Sequence, residues 1–162
     1  MSVNKDRPHI LVLPEDKANE QLANGFHLEF GSIRQMQVLP VAGGWNAVLD
    51  IFNSEHVTGM DRYFHRYMIL LIDFDGVQGR LDKVKARIPE HLAGRVFILG
   101  VWSEPEDLKR VIGESCEIIG RKLAEECRNE TDEIWKHDLL RHNVGELDRL
   151  REHLRLILFE VV

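Results

Sequence analysis

Met68-Ile69-Leu70-Leu71-Ile72-Asp73-Phe74-Asp75-Gly76 is the stretch on which the fold turns. A run of five apolar residues is what a strand buried on both faces requires, the condition of a parallel strand covered by helices on either side. The run stops on carboxylates, and alternation along an extended chain puts Asp73 and Asp75 on the same side as they leave the sheet. Open α/β sheets bind ligands beyond the carboxyl ends of their strands, so two acids there can hold a divalent cation. An Asp-Gly pair after a strand is also an ordinary turn signal.

Outward from this strand, apolar runs alternate with helical patterns, the signature of a mostly parallel α/β sheet. The first strand is His9 to Leu13, closed by Pro14; Glu15 to Gly25 reads as a helix with Ala18, Leu22 and Ala23 at helical spacing. A second strand over Gln35 to Val41 ends at Ala42-Gly43-Gly44, a helix follows from Asn46 to Phe52, and Ser54 to Gly59 reads as a connection. The third strand is Tyr67 to Ile72, with a helix over Leu81 to Ile88 limited by Pro89, and the fourth is Arg95 to Val101. From Pro105 the pattern turns helical throughout: one helix to Cys127, then Thr131 to His142, then Glu146 to Phe159. The expected organisation is an α/β core over residues 1–108 and C-terminal helices over 109–162 packed on it as a single domain, with no internal repeat or dividing linker.

The 162 residues, 44% of them hydrophobic, suffice for a substantial core. A net charge of −6 argues against a general nucleic-acid coat while leaving room for a local basic groove. Cys116 and Cys127 form neither a disulfide framework nor a zinc spacing, which fits a reducing compartment. Met1 to Pro8 has no apolar signal core, and no stretch approaches the ~18 apolar residues a membrane helix requires, so a cytoplasmic protein without membrane contact is expected.

With the strands laid out, Glu15 takes the end of the first strand that Asp73 and Asp75 take on the third, and neighbouring strands would bring the three together. Converging carboxylates repel unless a hard cation neutralises them, and oxygen ligands suit magnesium.

At these residues the chain resembles the Toprim domain, the metal-binding module of topoisomerases, bacterial primases, recombination mediators and small nucleases. In that family the first strand delivers a Glu, in a pattern like Glu-Gly-x-x-Asp, and the third delivers Asp-x-Asp. The matching stretches are Leu13-Pro14-Glu15-Asp16-Lys17-Ala18-Asn19-Glu20 and Ile72-Asp73-Phe74-Asp75-Gly76, and Val41-Ala42-Gly43-Gly44 looks like the Gly-rich turn of the nuclease branch. The resemblance covers residues 8 to 108. Asp16 replaces the usual Gly, Asn19 stands where an Asp is common, and Pro14 precedes the acid.

The resemblance implies phosphoryl chemistry assisted by magnesium, with manganese as the alternative ion. Asp73 and Asp75 would hold it, and Glu15 would be a further ligand or general acid or base. A topoisomerase needs a separate nucleophilic-tyrosine domain, and Tyr63 and Tyr67 read as packing or edge residues; a primase needs a basic priming domain and a zinc module. What remains is a small nuclease acting on DNA or RNA, or a nuclease subunit working with a separately encoded ATPase or other protein subunit, as in the overcoming-lysogenization-defect type. Oligomeric state is left open.

Two alternatives stand beside this. A Toprim-like fold can retain its acids as a non-catalytic scaffold or regulatory module, and Asp73-Phe74-Asp75-Gly76-Val77 also looks like the nucleophile motif of haloacid-dehalogenase-type phosphatases, although no later Gly-Asp-x-x-x-Asp follows. Glu104 ends the fourth strand and is either a further crevice acid or a helix-start acid. Lys17, Arg80, Lys83 and Lys85 could meet phosphates or form solvated helix faces. His65, His137 and His142 lack ligand spacing, and Trp45, Trp102 and Trp135 read as core or interface.

Overall fold

The computed structural model describes residues 3–29, 34–155 and 157. Four strands, β1 (His9–Pro14), β2 (Met36–Val38), β3 (Arg66–Leu71) and β4 (Val96–Leu99), form one all-parallel sheet in the order β2-β1-β3-β4. The α/β class, the four parallel strands, the flanking helices and a C-terminal helix are therefore as expected. The central pair runs in register from His9 opposite Arg66 to Pro14 opposite Leu71.

Both faces of the sheet are covered, which is why β1 and β3 read as unbroken apolar runs. Ile10, Val12, Ile69 and Phe97 face one core together with Leu22 of α1 (Lys17–Leu28) and residues of the C-terminal half. Leu11, Leu13, Met68 and Leu70 face the other. That second layer comprises α2 (Trp45–Ile51), α3 (Val57–Arg62) and α4 (Arg80–Ala86). The C-terminal half contributes α5 (Pro105–Ile112), α6 (Cys116–Asn129) and α7 (Val144–Leu154). No helix among the described residues is long and apolar enough to cross a membrane.

Four sequence expectations are corrected. Ser54 to Gly59 is helical: a π-type turn over Phe52–His56 joins α2 to α3, with Asn53 donating to the carbonyls of Leu49 and Arg87. The helix from Pro105 to Cys127 is two helices. Gly113 (φ 80°) closes α5 with its N–H on the Lys109 carbonyl, and the Ser115 hydroxyl caps α6 by accepting from the Ile118 N–H. Residues 131–142 form turns and a short 3-10 segment, Arg141–Asn143, because the buried carboxylate of Glu126 draws in the N–H groups of Ile134 and Trp135 at 2.9–3.3 Å. The second strand is shorter than Gln35 to Val41, although Leu39 and Ala42 still donate to the Val12 and Pro14 carbonyls. The end of the final expected helix, at residues 156 and 158–159, lies outside the described residues. A division after residue 108 falls within α5.

α1 and α6 meet backbone to backbone. A Cβ on Gly120 would lie 2.0 Å from the Leu22 carbonyl oxygen, and one on Gly25 would lie 1.9 Å from that of Glu117, so the contact admits only glycine at both positions.

β4 is an edge strand, and side chains at the start of α7 take the place of a fifth strand. Glu146 Oε2 accepts the Ile98 N–H at 3.0 Å, while Asn143 accepts from the Gly100 N–H at 3.1 Å and donates to its carbonyl at 2.9 Å. Glu146 is buried and paired with Lys85 and Arg149. Leu147 and Leu150 complete the docking, so the amphipathic C-terminal helix covers the sheet.

Asn143→Ala removes the side-chain partner of both backbone groups of Gly100 and should destabilise the fold by about 2–4 kcal/mol, seen as a lower urea midpoint at unchanged slope. A loss below about 0.5 kcal/mol would show that the side chain is not what seals this edge.

Candidate functional site

The end shared by β1 and β3 carries the acids. The Glu15 N–H donates to the Leu71 carbonyl at 2.8 Å, extending the ladder one step beyond Pro14, and the Glu15 side chain then turns across the strand end. Its Oε2 accepts the Asp73 backbone N–H at 2.5 Å. Two residues 58 apart in sequence are thus joined, both nearly buried: Glu15 is 8% exposed and Asp73 7%.

Asp16 and Asn19 complete the cluster. Asp16 caps α1, its carboxylate accepting from the Asn19 N–H at 3.0 Å. The Asn19 amide spends its two N–H donors on Asp16 Oδ1, at 3.0 Å, and on Asp73 Oδ1, at 2.8 Å. Its Oδ1 is buried with no hydrogen-bond partner among the described residues. Glu15 and Asp73 each keep one carboxylate oxygen without a hydrogen bond among the described residues.

Asp75 does not join them. β3 has ended at Leu71, the backbone at Asp75 is left-handed (φ 51°), and strand alternation no longer governs where its side chain lies. Its carboxylate, half exposed, pairs with Arg80 at 2.8 Å. Arg80 also donates to the Asp73 carbonyl at 3.1 Å and lies 4.4 Å from the centre of the Trp45 ring, so this buried cation braces the Asp73–Asp75 turn rather than lining an open phosphate site.

The glycine turn acts on the backbone of Glu15. The N–H groups of Gly43 and Gly44 point at the Glu15 carbonyl at 2.8 and 3.3 Å, with φ of 98° and 136°. An added Cβ would meet nothing within 4 Å at either position, so conformation and not space demands glycine. Lys17 is exposed and paired with Glu20, Glu104 is an exposed residue preceding α5 with no side-chain cap bond, and Lys85 serves Glu146. Behind the turn, Phe74 packs with Trp102 and His142, whose imidazole pKa is lowered by burial.

Asp16, Asn19 and Trp45 are what the sequence reading did not assign to the site. The signal existed for the first two: Asp-x-x-Asn after a strand is a helix-cap pattern, and a cap at a strand end shares that end with whatever else gathers there.

Crowding shows in the electrostatics. Burial raises the Asp73 carboxyl to about 7, with the charges of Asp16, Glu15 and Asp75 adding to the rise and the Asn19 hydrogen bond opposing it. Glu15 is also raised, by burial first, against the opposing Asp73 N–H bond.

The donors are all oxygen: one free atom on each of Glu15 and Asp73, and the orphaned amide oxygen of Asn19. That chemistry fits a hard divalent ion. Among the described residues, however, no group of three or more His, Cys, Asp or Glu side chains is arranged to hold a metal. Comparison with protein-family models, curated proteins and solved structures returns no significant match.

A carboxyl raised in the folded state binds a proton that the unfolded chain has already released, so stability should fall as pH rises from about 4 to about 7 and then level off. The slope contributed by Asp73 is at most about 1.4 kcal/mol per pH unit. Asp73→Asn should flatten this part of the pH–stability curve and melt higher than the parent protein at alkaline pH; an unchanged curve would show that Asp73 is ionised throughout.

Proposed function

We propose that this chain is a Toprim-like phosphoryl-transfer protein, most simply a small magnesium-dependent nuclease or nuclease subunit, with Glu15 and Asp73 as its central carboxylates. The observation that carries the reading is the join of Glu15 to Asp73 at a common strand end, with a buried amide oxygen on Asn19 left unsatisfied beside them. Buried carboxylates pressed together with spare oxygens are costly unless a proton or a cation offsets them.

Glu15, Asp73 and Asn19 would hold magnesium, or manganese in its place, and Asp75 could join on release from Arg80. The bound ion would polarise a phosphodiester and offset charge developing on its oxygens. Without an ion the Asp73 carboxyl lies near 7, so magnesium would displace its proton on binding, and Glu15 would serve as a further ligand or as the general base toward an attacking water. Arg80 and the Gly43-Gly44 turn hold these groups in position through the Asp73 and Glu15 carbonyls. The substrate class is DNA or RNA, and a separately encoded ATPase or other subunit is the partner of the subunit form.

A second reading has its own observation. The Asp75–Arg80 ion pair and the lack of a three-acid cluster among the described residues favour a scaffold that keeps its acids without cutting.

Incubation of the purified chain with plasmid, single-stranded DNA and RNA separates the two. The nuclease reading expects cleavage with magnesium or manganese and none in chelator, with Asp73→Ala and Glu15→Ala each lowering the rate about 100-fold or more. Asp75→Ala should cost less, because its carboxylate is engaged elsewhere. No cleavage of any substrate, together with no change in melting temperature on adding either ion, would overturn the nuclease and leave the scaffold.

A further inference from the structure

At the opposite end of the sheet, where the strands begin, the chain reads Arg62-Tyr63-Phe64-His65-Arg66. The Arg66 N–H closes a tight turn on the Tyr63 carbonyl at 2.9 Å, with Phe64 and His65 at its corner. Arg95, at the end of the short 3-10 segment Glu90–Arg95 that leads into β4, braces this turn, donating to the carbonyls of Tyr63, Arg66 and Met60 at 2.9–3.2 Å. Phe64 is 71% exposed, the most exposed of the large apolar residues described, and among the described residues its ring meets only the exposed His65 ring, tilted at 4.2 Å between centres.

Cations gather round this turn. Lys5 Nζ, the Arg62 guanidinium and the Arg66 guanidinium lie 5.4, 5.3 and 4.8 Å from the centre of one ring, that of Tyr63. Arg66 is buried, with its Nε donating to His9 Nε2 at 2.9 Å, and burial lowers its pKa. Among the described residues none of Lys5, Arg62, Arg66 and Arg95 has a carboxylate partner, and the neighbouring Asp61 is engaged by His91. In a chain of net charge −6 whose other arginines and lysines are in large part paired, this cluster around Tyr63, next in the chain to the exposed Phe64, is suited to an anionic partner.

We propose that this turn is a binding surface for single-stranded nucleic acid, with a base stacked on Phe64 and phosphates met by Lys5 and Arg62. Single strands are held by cations along the backbone and aromatic rings under the bases, and an unstacked base is what an exposed Phe can take. An acidic peptide would satisfy the cations and leave Phe64 unused. The surface stands about 20 Å, one strand length, from the carboxylates and does not depend on the metal reading.

The test uses the intact chain and a dye-labelled oligothymidylate in chelator at low salt, so that binding is read without cleavage or metal. Phe64→Ala, an exposed substitution, should weaken binding between about fivefold and 100-fold. The double variant Lys5→Ala/Arg62→Ala should lower the slope of log affinity against log salt by about 1.4, or about 0.7 for each phosphate no longer neutralised. Lys136→Ala, an exposed cation elsewhere, should change neither. Absence of binding, binding indifferent to both variants, or displacement by polyglutamate with Phe64→Ala without effect would each overturn the proposal, the last in favour of an acidic protein partner.

Discussion

The pairing of β1 with β3 is the constraint on which the rest depends. Six residues of each run side by side at the centre of the sheet, buried on both faces, and the register sets Pro14 against Leu71. Slipping it by one residue would turn every side chain of one strand to the wrong core. The same register delivers Glu15 to the backbone of Asp73, so the hydrophobic pattern that builds the core also decides which carboxylates meet. Neither acid selects its partner; burial along two strands does.

The C-terminal half is joined to this pair by polar atoms as much as by packing. Glu146 and Asn143 seal the open edge of β4, and Lys85 and Arg149 both pair with Glu146 Oε1. Glu126 organises residues 134 and 135 in a similar way, one buried carboxylate holding turns that have no periodic pattern of their own. These buried acids are fully engaged, in contrast with Glu15 and Asp73, which retain free oxygens. Buried polar groups in a native fold are ordinarily satisfied, and in the strand-end cluster the Asn19 amide oxygen is buried without a partner among the described residues.

Much of the fold was legible because parallel strands advertise themselves. His9 to Leu13 and Met68 to Ile72 are apolar without alternation, and Asp16 caps the first helix between them, although that helix runs on past Asn24-Gly25 to Leu28. The break at Gly113–Ser115 was written in the chain as a C-cap glycine followed by a capping serine, yet the apolar stripe running through it outweighed those signals. The turns at 131–142 were not legible at all. Their N–H groups are satisfied by Glu126, and a side-chain partner several residues away leaves no period in the sequence.

The site divides along the same line. Sequence alone determined that Glu15 and Asp73 stand at the ends of strands, since an apolar run that stops on an acid can do little else, and that glycines follow the second strand. Only tertiary structure decided that Asp75 turns to Arg80, that Asn19 bridges Asp16 and Asp73, and that Lys5 and Arg62 share the ring of Tyr63. The physical reason is range. Hydrophobic periodicity is a local property that survives in one dimension, whereas the partner of a charged or amide group is set by whichever residue the folded backbone brings within about 3 Å of it.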